Sequence, residues 1–257
     1  PWLAPAYQAR GLGPAAGYGW YFADKTVDIC TAIEPLGELP LAAQPGERWV
    51  YGYATDVLGC LVERASGIPL DEFIRQRITA PLGMSDTRFC GPAADADRLA
   101  TVYRLDGNGL TRAPEGARGQ GHYLTGPCRA FSGGAGLVST ASDYAAFLEM
   151  LRRGGELGGA RILSPSGAAL MARDHVGELY RGAADGFGLG FAILLDPGMA
   201  GRYGAPGSYG WGGAYHTSYW IDPTHDLVAV LMVQLLPATG STLQERFRTL
   251  VYAMLEK

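Results

Sequence analysis

One stretch near the C-terminus constrains the fold more than any other: Ser208-Tyr209-Gly210-Trp211-Gly212-Gly213-Ala214-Tyr215-His216-Thr217-Ser218-Tyr219-Trp220-Ile221-Asp222-Pro223. Its aromatic and β-branched residues favour an extended backbone. Asp222-Pro223-Thr224-His225 has the form of a type I turn with proline at its second position. A second apolar run, Leu227 to Leu236, follows. The pattern predicts a strand over 209–221, paired antiparallel with a strand over 227–236. The glycine pair inside it needs a reason, because glycine weakens a strand and marks a close approach of backbone or ligand. Two readings are open. Gly212 and Gly213 mark a β-bulge or a tight packing point, or they let a backbone N–H reach a reacting oxygen.

The rest of the chain supplies helices around that sheet. Val57, Leu58, Leu61, Val62 and Ala65 recur at helical spacing and stop at Gly67. Pro69 to Ile78 repeats the pattern. Thr140 and Asp143 cap a third helix that Gly154-Gly155 ends. Ser164-Pro165 opens a fourth, running to about 173. Ser241 and Gln244 have capping-box spacing, and Leu243, Phe247, Leu250, Val251, Met254 and Leu255 then form one face, expected to pack on the hairpin. Phe187 to Leu195 reads as a further strand. Residues 1–46 and 91–130 read as loop, the former with short helical pieces.

Composition bounds the function. The chain has 257 residues, 47% hydrophobic and 18% charged, with a net charge of −4. That is enough to bury a core in one large or two intimate domains. Without a basic block, a general nucleic-acid binder is excluded, as is electrostatic docking on anionic membrane. The longest apolar run is too short to span a bilayer. Cys30, Cys60, Cys90 and Cys128 are widely spaced with no CxxC, and free thiols are the expected state. Lysine occurs only at Lys25 and Lys257. That bias toward arginine, with the glycine content, points to a GC-rich bacterial source; cytoplasm and periplasm both stay open.

Searches for common chemistry return little. His122, His175, His216 and His225 are isolated, so no metal site is indicated. Gly11 to Gly17 is glycine-rich, but it follows no strand and is interrupted by proline, which excludes a dinucleotide loop. No serine sits in G-x-S-x-G, and no S-x-x-K occurs.

Four segments in order nevertheless carry a resemblance. Pro45-Gly46-Glu47-Arg48-Trp49-Val50-Tyr51, with the helix Thr55 to Gly67, resembles the segment of the catalytic tyrosine in the serine β-lactamase-like superfamily. Class C β-lactamases and family VIII carboxylesterases are the most similar within it. Ile78 to Thr87, Gly133-Gly134-Ala135-Gly136-Leu137-Val138-Ser139-Thr140, and Trp211-Gly212-Gly213 are similar to that family as well. The resemblance implies a fold of α/β (α+β) class, β-lactamase/transpeptidase-like. It has a mainly helical region (1–139) carrying the tyrosine, and an α/β region (140–257) with an antiparallel sheet and C-terminal helix. The substrate cleft is expected between them. No metal or organic cofactor is implied.

By the same resemblance, Tyr51 is the general base. A phenol with an ordinary pKa near 10 needs a neighbouring cation to act so at neutral pH. The family supplies that cation as the lysine of S-x-x-K, together with the nucleophilic serine. Both are expected upstream of Pro1, in a segment of the same protein that this chain lacks. The Ala214 N–H matches the oxyanion donor. Tyr53 replaces an amide found in the β-lactamases and is expected to wall the pocket. Trp211 stands where class C enzymes have the lysine of K-T-G, which favours uncharged ester groups over a lactam carboxylate. Gly212 and Gly213 admit the substrate, and His216, two residues beyond Ala214 on a regular strand, reaches the rim. The implied activity is a serine hydrolase forming an acyl-enzyme on small carboxylic esters. A β-lactamase or D-amino-acid peptidase, and a catalytically inactive binding module, are the alternatives.

Overall fold

The computed structural model describes residues 3–12, 22, 25–106, 109–114, 123–124, 126–236 and 240–255. Gly13 to Gly17, His122 and Lys257 lie outside them. The chain divides into two compact units, one of residues 1–44, 50–103 and 111–139, the other of 45–49, 104–110 and 140–257.

The first unit is mainly helical. Helices α1 (Ala4–Ala9), α2 (Ile29–Ile33), α3 (Ala54–Ser66) and α4 (Leu70–Ile74) are joined by loops and short 3₁₀ turns, and α4 continues as a π turn over Arg75–Thr79. Asp28 caps α2 through the Thr31 N–H. Gly67 closes α3 at φ 74°, donating its N–H to Glu63 O, as its lack of a Cβ permits. A short ladder pairs β1 (Arg88–Phe89) with β4 (Leu137–Val138). Between them in sequence, β2 (Tyr103–Asp106) and β3 (Gly109–Arg112) form a two-stranded ladder, where the sequence suggested only loop; its residues 104–106 and 109–110 belong to the second unit.

The four cysteines correct the free-thiol expectation. Cys30 is bonded to Cys60 and Cys90 to Cys128, with Cα separations of 4.9 and 6.2 Å, both within bridging reach. Chain length argued only that bridges were unnecessary. Topology decides which sulfurs meet: one bridge ties α2 to α3, and the other ties the end of β1 to the loop before Ala130.

The second unit holds a five-stranded antiparallel sheet in which each strand pairs with the next in sequence. It is preceded by α5 (Ala141–Arg152), the two-residue strands β5 (Glu156–Leu157) and β6 (Ala160–Arg161), and α6 (Pro165–Met171). Thr140 caps α5, accepting the Asp143 N–H at 3.1 Å, and Ser164 caps α6, accepting the Gly167 N–H at 3.0 Å. Strand β7 is Asp185–Phe187 and β8 is Ala192–Leu194. The single strand expected over 187–195 is therefore a hairpin. Gly190, at φ 99°, makes its reversal, and Gly188 donates to Phe191 O at 2.7 Å. Helix α7 (Pro197–Ala200) leads to β9 (Tyr209–Gly212), β10 (Ser218–Asp222), β11 (Leu227–Leu231) and α8 (Leu243–Leu255).

The β10–β11 hairpin forms as the Asp-Pro turn predicts, with Asp222 opposite Leu227. The Asp222 carboxylate is fully buried and accepts four backbone or hydroxyl donors: the N–H groups of Ala205, Thr224 and His225, and the Tyr252 hydroxyl at 2.7 Å. Burial alone would raise its pKa; the donors from Tyr252, Ala205 and His225 win and hold it at about 2. Trp220 packs against Phe247 and Tyr252 of α8, and Val251 joins this core. Only part of the expected apolar stripe of α8 is buried: Leu243, Leu250, Met254 and Leu255 are exposed. Among the described residues no helix is long and apolar enough to cross a membrane.

Candidate active site

In the first unit, Tyr51 lies in irregular chain three residues before α3, and 64% of its surface is open. Its neighbours fix its place. Tyr53 is 5% exposed, its ring edge-on to Tyr7 and tilted against Phe22 in the core with Ile29 and Ile33. This corrects the expectation of a pocket wall: a phenol at that depth anchors the chain. Its carbonyl accepts the N–H groups of Asp56 and Val57 and so starts α3.

The glycine-rich segment quoted for the resemblance is keyed to that same turn. Ser132 donates its hydroxyl to the buried Asp56 carboxylate and accepts the Gly134 and Ala135 N–H groups at 2.9 and 3.0 Å. Burial raises the Asp56 pKa, opposed chiefly by the Ser132 hydrogen bond. A Cβ on Gly133 would lie 2.1 Å from Thr55 O, so only glycine lets the loop come this close. The Cys30–Cys60 bridge also ties the middle of α3 to α2. Asp28, Cys30 and Glu63 form a cluster of metal-ligand type. Yet the Cys30 sulfur is bonded to Cys60, Asp28 caps α2, and Glu63 accepts the Leu70 N–H.

In the second unit, the glycine pair does not sit inside one strand. Strand β9 ends at Gly212, and β10 begins at Ser218, directly opposite it. Residues 213–217 form a tight connection, closed by Gly213 N–H to Thr217 O at 3.1 Å and His216 N–H to Gly213 O at 3.0 Å. The glycines are needed within this hairpin itself. A Cβ on Gly210 would come 2.1 Å from Tyr219 O, one on Gly212 2.9 Å from Thr217 O, and one on Gly213 2.4 Å from Thr217 Oγ1. His216 takes a left-handed φ of 70°, costly for a residue with a side chain. The regular-strand placement of His216 beside Ala214 is thereby corrected. Its ring is half-buried, and among the described residues no partner meets its Nε2.

Ala214 sits exposed at the head of this turn. Among the described residues no acceptor meets its N–H. Gln244, in the first turn of α8, locks the connection: its Nε2 donates to His216 O at 3.1 Å and Thr217 O at 2.9 Å. Its capping-box spacing with Ser241 was a coincidence of sequence; the Ser241 hydroxyl instead accepts the Leu243 N–H. Trp211, the last large side chain before the turn, meets Phe187 edge-on at 5.1 Å. Phe187 touches Trp49 and Tyr180 in turn. Neither Gln244 nor this ring cluster was visible in the sequence, where each reads as ordinary helix or core.

A family model described as Beta-lactamase matches residues 4–253. Protein Rv1367c of Mycobacterium tuberculosis (strain ATCC 25618 / H37Rv) is 38% identical over 217 residues, 80% of this chain and 53% of that protein. Esterase EstB of Burkholderia gladioli is 33% identical over 219 residues, 80% of this chain and 54% of that protein. Among solved structures, EstCE1, a hydrolase with promiscuous acyltransferase activity, superposes with a TM-score of 0.78 at 30% identity, covering 89% of this chain and 62% of that one. The chain thus spans about half to three-fifths of the length of these proteins. The match over nearly the whole chain, on a mixed fold of helices and an antiparallel sheet, places it in the Beta-lactamase family.

Proposed function

We propose that the complete protein is a serine hydrolase that cleaves small carboxylic esters through an acyl-enzyme. The observation that carries this reading is the turn after Trp211: an exposed Ala214 N–H with no acceptor among the described residues, on a connection locked by Gln244. A donor held in place before the reaction stabilises developing oxyanion charge without reorganising, and removing one such donor costs on the order of 10²–10³ in turnover.

In this reading the nucleophilic serine and its lysine stand on a segment N-terminal to Pro1. The serine Oγ attacks the ester carbonyl carbon and gives its proton to the Tyr51 phenolate. The carbonyl electrons move onto oxygen, which accepts the Ala214 N–H. Collapse breaks the C–O bond to the alcohol, and Tyr51 returns the proton to that leaving oxygen. Water then attacks the acyl-enzyme and Tyr51 takes its proton; collapse breaks the acyl carbon–Oγ bond, Tyr51 returns the proton to Oγ, and the carboxylic acid leaves with the serine restored. Tyr51 has the exposure this role needs. Trp211 offers an apolar face where a cation would recruit a lactam carboxylate, and the relatives EstB and EstCE1 are named as an esterase and a hydrolase.

The test compares the complete protein on p-nitrophenyl butyrate and on a chromogenic cephalosporin. The account expects the ester to turn over faster. Faster cephalosporin turnover would assign a β-lactamase instead, and turnover of neither would leave a binding module of this fold.

A further inference from the structure

The aromatic cluster beside the turn has an unusual balance of contact and exposure. Trp49, Tyr180, Phe187 and Trp211 all lie in the second unit. Their ring centroids are 4.8 Å apart for Trp49–Tyr180, 4.3 Å for Trp49–Phe187, 5.1 Å for Tyr180–Phe187 and 5.1 Å for Phe187–Trp211. Nevertheless all four are only half-buried. The rings that serve the core of the same sheet are sealed: Phe191, Tyr209 and Trp220 are 4%, 6% and 1% exposed. Four touching rings that keep part of their faces open form a contiguous apolar surface, and such surfaces in monomers mark contact sites. Small-molecule sites are lined in this way, with a few polar groups fixing orientation.

Position selects the occupant. Trp211 stands three residues before Ala214 on the same hairpin, so at most about 10 Å of chain separates their Cα atoms, a span that an aryl ester bound at the Ala214 N–H can bridge. Arg181 stacks its guanidinium 5.2 Å from the Tyr180 centroid. We infer that Trp49, Tyr180, Phe187 and Trp211 form the subsite for an aromatic group of the ester, and that the protein selects benzyl-type esters over short aliphatic ones. This deepens the hydrolase reading and rests on it for the identity of the ligand.

The experiment uses the complete protein, Phe187→Ala and Phe187→Leu, with folding checked by thermal unfolding. Phe187 meets each of the other three at 5.1 Å or less, whereas Tyr180 lies 6.3 Å from Trp211. Two quantities are read: tryptophan fluorescence titrated with N-benzylacetamide, an amide probe of binding alone, and the ratio of kcat/KM for benzyl acetate to that for ethyl acetate. Edge and face contacts with aromatic rings predict a Kd for N-benzylacetamide raised about tenfold in Phe187→Ala, and the ester ratio lowered by about the same factor. Phe187→Leu keeps the apolar volume and loses the ring, so it should show most of the effect. Binding lost in both variants, in a protein that hydrolyses no ester, would uphold the subsite and sink the hydrolase. Ester turnover with an unmoved ratio and an unmoved Kd in two folded variants would overturn the subsite and leave the hydrolase standing.

Discussion

Replacing Gln244 by leucine tests whether the Ala214 turn is a prepared device. The wild-type amide donates to two carbonyls, His216 O at 3.1 Å and Thr217 O at 2.9 Å. Thr217 O keeps a second donor, the Gly213 N–H, whereas His216 O loses the only donor recorded for it among the described residues. At a net worth of about 0.5–1.5 kcal/mol each, the two bonds together hold the turn by roughly 1–3 kcal/mol. The turn also carries His216 at a left-handed φ of 70°, so the loss falls on a segment already under strain. If that free energy fixes the oxyanion donor, its removal lowers kcat by roughly 5- to 140-fold, since 1.4 kcal/mol is a factor of ten. KM should move far less, because the donor acts on charge that develops after binding. The assay is steady-state hydrolysis of p-nitrophenyl butyrate by the complete protein, well below the unfolding midpoint. A folded Gln244→Leu protein with kcat within twofold of wild type would show that the clamp serves the fold alone.

Other expectations follow from the same contacts. Gly133→Ala puts a Cβ 2.1 Å from Thr55 O; it should destabilise the protein by about 2 kcal/mol or more, seen as a lowered denaturation midpoint, while alanine at the open Gly37 should not. Asp222 is held at about 2 against an ordinary 3.8. Its depressed pKa stabilises the fold by about 2 kcal/mol above pH 4, lost as pH falls from there toward 2, so Asp222→Asn should flatten that acid limb in chemical denaturation. The two bridges predict that Cys30, Cys60, Cys90 and Cys128 resist alkylation in unreduced, denatured protein and that all four react after reduction, read by peptide mass. Two thiols before reduction would break one assignment.

What the sequence shows and what it hides divide along physical lines. Local chemistry reads directly. Thr140, Ser164 and Gly67 announce helix ends because a cap is satisfied within a few residues, and Asp222-Pro223 announces its hairpin for the same reason. Contacts between distant segments do not read. The glycine pair correctly signalled a close approach, but the approaching atoms belong to Thr217 on the same hairpin, and in the connection 213–217 the turn former is Gly213, which also reads as part of the strand. Gln244 carries the spacing of a cap, while its amide finds carbonyls 27 and 28 residues away. Tyr53 and Tyr51 are chemically identical two residues apart, yet one is core and the other exposed. Cysteine pairing likewise depends on where α2, α3 and β1 run.

The most direct test of the central claim is the pre-steady-state release of p-nitrophenol by the complete protein and its Tyr51→Phe variant. An acyl-enzyme mechanism with Tyr51 as proton acceptor predicts a stoichiometric burst in the wild type, slowed by a factor of about 10²–10⁴ when the hydroxyl is removed. A burst of unchanged rate in Tyr51→Phe would contradict it.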